Sequence, residues 1–147
     1  MKIFTQLVFL AAFAMATITS NAQSPPANAT FIESNKVAAA FAKGMPLVEN
    51  DQFKVHASRR DAPGIVEIHA KDTDIFYLLD GSATFVTGGT AVGQTNTAPG
   101  EIRAKEIKGG ESRRVGKGDI IIVPTGVPHQ FKEVNGPLLY YVVKVTK

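Results

Sequence analysis

Beyond Asn50 the chain divides into short runs, FKVHA, GIVEIHA, DIFYLL, SATFVT, EIRAKEI, DIIIV, HQFKE and LLYYVVKV, none longer than eight residues. Each is rich in Val, Ile, Phe or Tyr, and Gly, Pro, Asp or Asn separates it from the next. Side chains two positions apart on a strand share a face, so runs of this length and composition predict many short strands in an antiparallel sandwich or barrel. Helical spacing shows only over residues 34–44. Val37, Ala40 and Phe41 fall on one face there, Ser34 is the expected cap, and Gly44 followed by Pro46 is the expected stop. Thr30 and Glu33 form an alternative capping box that would start the helix earlier. Residues 88–100 (GGTAVGQTNTAPG) have no apolar period and are expected to form a loop bordering a binding site.

The N-terminal pattern differs. Residues 1–22 carry Lys2, then a mostly apolar stretch, then Ser20, Asn21 and Ala22 with small residues at the −3 and −1 positions. That is the layout of a signal peptide, with an apolar core of about ten residues, short of the roughly 20 needed to span a bilayer. Cleavage would leave 147 − 22 = 125 residues, a periplasmic or secreted chain with no membrane anchor. A chain of that length can bury about two thirds of its unfolded surface. The expected organisation is therefore a signal peptide at 1–22, a Pro/Asn-rich leader and short helix at 23–49, and a barrel domain at 50–147.

Composition narrows the chemistry. With no Cys, disulfides, thiolate metal sites and cysteine nucleophiles are excluded. The formal charge of +3 comes without a basic run, so no nucleic-acid partner is expected. Gly88 and Gly89 lack the Lys-Ser/Thr of a phosphate loop, and no G-x-S-x-G motif supports a serine hydrolase. Arg113, Arg114 and Lys117 read as a solvated turn, and His56 as a packed or surface strand histidine. Two other histidines stand in more informative places. Glu67 and His69 share a strand face, and Asp74 opens the next strand. Pro124, Gly126 and Pro128 form a rigid turn that sets His129 at the head of a strand. Two imidazoles and one or two carboxylates converging inside a barrel make an N/O site for a divalent metal.

These residues resemble the two motifs of the cupin superfamily. The second motif, G-x5-P-x-G-x2-H-x3-N, is matched at Gly118, Pro124, Gly126 and His129, with Glu133 in place of the Asn. The first, G-x5-H-x-H-x3,4-E-x6-G, is matched in spacing at His69 and Gly81. Glu67 stands for its first His, Asp74 for its Glu, and Asp61 for its opening Gly. The resemblance implies an all-β, antiparallel jelly-roll barrel with a short N-terminal helix. It also implies one divalent metal (iron, manganese, zinc or nickel) held by Glu67, His69, Asp74 and His129. Asp74, one methylene shorter than Glu, could instead support a ligand from the outer shell. Glu67, if unligated, is a candidate catalytic base. The expected function is a metal-dependent enzyme of oxygenase, isomerase or lyase type acting on a small molecule. The alternative is a non-catalytic metal- or small-molecule-binding barrel. A homodimer is also open, with LLYYVVKV as either a central strand or a pairing edge.

Overall fold

A computed structural model describes residues 28–147; the signal segment and its cleavage site lie outside the described residues. Helix α1 (Ser34–Lys43) is followed by β1 (Met45–Glu49), β2 (Phe53–Arg60), β3 (Val66–His69), β4 (Asp72–Thr87), β5 (Thr90–Val92) and β6 (Thr95–Ala98). Then come β7 (Glu101–Ala104), β8 (Glu106–Lys108), β9 (Glu111–Gly116), β10 (Ile120–Val123) and β11 (His129–Thr146). Nine strands form one sheet in which β1, β2, β11, β3, β7 and β6 pair in that order, while β4 joins β11, β9 and β10. Strands β5 and β8 pair separately. All pairings are antiparallel, the arrangement of a jelly-roll that curls on itself.

Several expected boundaries shift. Glu33, not Ser34, occupies the helix N-cap position, with no side-chain cap bond, whereas Gly44 does end the helix in the left-handed conformation. A first strand, β1, lies within the segment expected to be leader and helix, because the backbone of residues 45–49 pairs with β2. The expected 88–100 loop contains β5 and β6, held by backbone pairing, with β6 exposed throughout and β5 burying only Ala91. DIFYLL and SATFVT are one bent strand, as are HQFKE and LLYYVVKV. The bend in β4 falls at Gly81, at φ 76°, where an added Cβ would lie 2.4 Å from the carbonyl oxygen of Pro137. Glycine is required there by both the backbone conformation and the close approach of β11. The run Leu138–Val145 pairs with β2 on one side and β4 on the other, so it is central and unavailable as a dimer edge.

The core explains which face looks inward. Phe76, Leu78, Phe85, Phe131, Leu138, Tyr140 and Val142 are buried together between the strands, and each aliphatic or aromatic side chain so buried stabilises the fold by about 1.5–3 kcal/mol. Val66, Ile68, Ala91 and Ala104 form a second cluster beside it. Strand β2 runs against this rule. Its apolar Ala57 is buried opposite Tyr141, whose ring meets Phe41 of α1 edge-on at 5.0 Å. The helix therefore covers the outer face of β2, and the polar set His56, Ser58 and Arg60 lines the barrel interior.

Candidate metal centre

Strand register builds the centre. In the β3–β7 ladder His69 lies directly opposite Glu101, and Glu67 opposite Arg103. Glu67 also faces His129 of β11. In the β4–β11 ladder Asp74 lies opposite Lys144. Directly opposed residues project to the same face, so these pairs bring their polar side chains together. The turn before β11 adds a tether. Gly126, at φ 80°, donates its backbone N–H to the carbonyl of His69 at 2.8 Å, and Val127 N–H bonds the carbonyl of Pro124. Pro124, Gly126 and Pro128 thus fasten His129 to β3 as well as aiming it.

Both imidazoles are oriented by their Nδ1 atoms. His69 Nδ1 is 2.9 Å from Glu101 Oε2, and His129 Nδ1 is 3.1 Å from the carbonyl oxygen of Val127. A carboxylate and a carbonyl only accept, so each Nδ1 carries a hydrogen and donates it, and each Nε2 faces the centre. Ligand atoms of Glu67, His69 and His129 all lie within 4.8 Å of one another; both histidines are buried and Glu67 half-buried. The Asp74 carboxylate lies beside them, with Oδ2 3.3 Å from His69 Nε2 and 3.7 Å from His129 Nε2. Two imidazole nitrogens with their outer bonds satisfied, plus an anionic oxygen, are a donor set that fits a divalent metal of the N/O-preferring kind.

One cation already stands in this cluster. Lys144 Nζ is 2.8 Å from both oxygens of Asp74 and 2.9 Å from His69 Nε2. Burial pushes the Asp74 carboxyl upward, but His69 and Lys144 outweigh it and hold the group below its ordinary range. Burial likewise lowers His69, yet hydrogen bonds to Asp74 and Glu67 carry it to about 9. The short Lys144–His69 contact places one proton between the two nitrogens. His129 is pushed below its ordinary value, chiefly by burial. For Glu67, burial is overcome by His69, Arg103 and His129, leaving its carboxyl at about 2. Two guanidinium groups flank it, Arg103 at 3.7 Å and Arg60 at 3.8 Å.

A cavity of about 150 Å³ opens beside the cluster, lined by Ser58, Arg60, Gln130 and Tyr140 as well as by Glu67, Asp74, His129 and Lys144. Of the expected ligands, the structure brings Glu67, His69 and His129 into one group and sets Asp74 against Lys144. His56 lines the cavity, but its Nε2 pairs with Glu49 at 2.8 Å. Phe76 and Phe131 dry the site, as their shared faces with Asp74 and His129 lead one to expect. Arg113 and Arg114 are exposed. Lys144, Glu101, Arg103, Arg60 and Ser58 were not singled out by the sequence. In the structure Lys144 continues the inward set Leu138, Tyr140 and Val142 at every second position.

A small jelly-roll barrel holding histidines and a carboxylate on its inner face defines a class. The chain belongs to the cupin family: the family model described as Cupin matches residues 20–147. No curated protein matches the chain in sequence. Among solved structures it resembles BH2720 from Bacillus halodurans at 16% identity and a TM-score of 0.59, covering 83% of this chain and 85% of that one. It also resembles TT1209 from Thermus thermophilus, at 16% identity and a TM-score of 0.56, covering 78% of this chain and 96% of that one. The DMSP lyase DddQ from Ruegeria pomeroyi DSS-3 shares 20% identity over 67% of this chain at a TM-score of 0.48, and this chain spans only 40% of its length. At 16% identity the likeness to BH2720 and TT1209 shows the fold alone.

Proposed function

We propose that this cupin is exported after loss of residues 1–22, binds one divalent metal through Glu67, His69 and His129, and acts as a metal-dependent enzyme on a small, oxygen-rich molecule. The observation that carries the reading is the convergence of two Nε2 atoms and a carboxylate within 4.8 Å, beside a cavity of about 150 Å³. A metal held there supplies Lewis-acid polarisation of a substrate oxygen. The chain supplies the rest. Arg60, Ser58 and Tyr140, which line the cavity with donor-bearing side chains, would orient a carboxylate or hydroxyl group. Phe76 and Phe131 also line the cavity and exclude water from that side. Glu67 serves this scheme as a ligand: a carboxylate held at about 2 is too weakly basic to take a proton efficiently near neutral pH.

Oxygenase, isomerase and lyase chemistries remain the classes proposed, because the fold itself does not choose among them. Loading with manganese tests whether the site is an open, catalytic one. Enhanced relaxation of water protons by the bound ion is expected, and a fully closed ion with no enhancement would contradict an enzyme. Retained turnover with zinc in place of iron would exclude the oxygenase form. A second reading, a non-catalytic barrel for small molecules, is favoured by one observation: Lys144 satisfies Asp74 and His69 from within the chain.

A further inference from the structure

We propose that Lys144 is a built-in competitor of the metal, a tethered cation that occupies Asp74 and His69 and must withdraw before an ion can be held. The inference deepens the metal-binding reading above and rests on it. Lys144 is placed by strand pairing, directly opposite Asp74, and its side chain is only 14% exposed. Its Nζ meets both Asp74 oxygens at 2.8 Å, which removes the carboxylate that the first cupin-like motif would contribute. The same Nζ lies 2.9 Å from His69 Nε2, the nitrogen left for an ion once Nδ1 is bonded to Glu101. Whichever nitrogen carries the hydrogen between them, the Nε2 lone pair is engaged by it and cannot also bind a metal.

Charge points the same way. Around the centre, the carboxylates of Glu67, Asp74 and Glu101 already have the cations Arg60, Arg103 and Lys144 beside them. A divalent ion entering beside Lys144 would add its charge to positive charges already in place. Withdrawal of the lysine, or its replacement by a neutral side chain, frees Asp74 as a fourth ligand and removes one of those charges. A lysine serving only to fill space or steady the barrel would have no such effect on metal affinity.

Zinc affinity of the full, untagged chain, measured by competition with a chromophoric chelator, tests this in wild type, Lys144→Met and D74N/K144M. The double variant removes Asp74 and Lys144 together, leaving neither charge buried without the other, which keeps the test valid if Lys144→Met does not fold. At least tenfold tighter zinc binding is expected in Lys144→Met, and a smaller gain over wild type in the double variant. Acetylation of wild-type Lys144, followed by mass spectrometry, should accelerate when zinc is added. Zinc binding by wild type with equal or weaker binding in the folded variants would overturn the competitor role alone, as would unchanged acetylation. Binding by Lys144→Met but not by wild type would support the competitor role and overturn the metal-dependent function. Absence of zinc binding in all three would overturn both.

Discussion

Glu101→Ala is a perturbation whose size can be worked from geometry. Glu101 Oε2 accepts from His69 Nδ1 at 2.9 Å and from Arg103 at 3.1 Å, and it holds the imidazole with Nε2 toward the centre. Removing the carboxylate lets His69 place its hydrogen on Nε2 and turn its lone pair away. It also frees Arg103, whose other terminal nitrogen lies 3.7 Å from Glu67, to draw that ligand aside. Loss of such an outer partner typically weakens metal affinity by about 10–100-fold, or roughly 1.4–2.8 kcal/mol. Under saturating zinc the full difference appears in stability, since an ion that binds only the folded chain raises Tm with its affinity. For a domain of this size the zinc-induced rise in Tm should shrink by roughly 4–14 °C. The assay is a pair of thermal melts for each protein, with zinc and with chelator. Glu101→Gln, which retains an acceptor, should fall between wild type and Ala. An unchanged zinc-induced shift in Glu101→Ala would refute the claim that Glu101 orients a ligand.

Three further outcomes follow from the fold. Gly81→Ala should cost about 2–3 kcal/mol in urea unfolding, because φ 76° is strained for alanine and its Cβ would meet the carbonyl of Pro137; no measurable loss would show that β4 bends elsewhere. Phe85→Ala, which empties a side chain only 2% exposed, should cost about 3–5 kcal/mol in the same assay. Asp72 is buried against Lys54 at 2.8 Å and Thr146 at 2.9 Å. Burial raises its pKa, but these partners bring it below the ordinary 3.8. Its contribution to stability is therefore complete above the unfolded value and lost as pH falls through the lower folded one. Melts between about pH 2 and 6 should show a shallower acid loss in Asp72→Asn than in wild type.

Strand alternation and turn residues made the barrel and two of its histidines legible. The Gly118-to-His129 spacing marked a turn whose rigidity the structure explains through Pro124, Gly126 and the bond to His69. Parity alone put Glu67 beside His69. The partners across the strands were less accessible, because pairing register does not follow from any single strand. Glu101 and Arg103 became part of the centre only through the β3–β7 ladder. Strand β2 misleads in another way: its apolar side meets α1, so its polar side faces inward, the reverse of the usual assignment. Lys144 lies in a run whose two faces are both largely apolar, since one packs in the barrel and the other carries Tyr141 against Phe41. Alternation there is too weak to separate inside from outside without the buried positions of Leu138, Tyr140 and Val142.

The most direct test of the central claim is the metal content of the untagged protein, expressed from the full chain and purified without chelator, beside a His69→Ala/His129→Ala double variant. Elemental analysis should find about one equivalent of iron, manganese, zinc or nickel in the wild type, or after its reconstitution, and none in the double variant. A wild-type protein that holds no metal and takes none up would contradict the account, as would a double variant that retains the full equivalent.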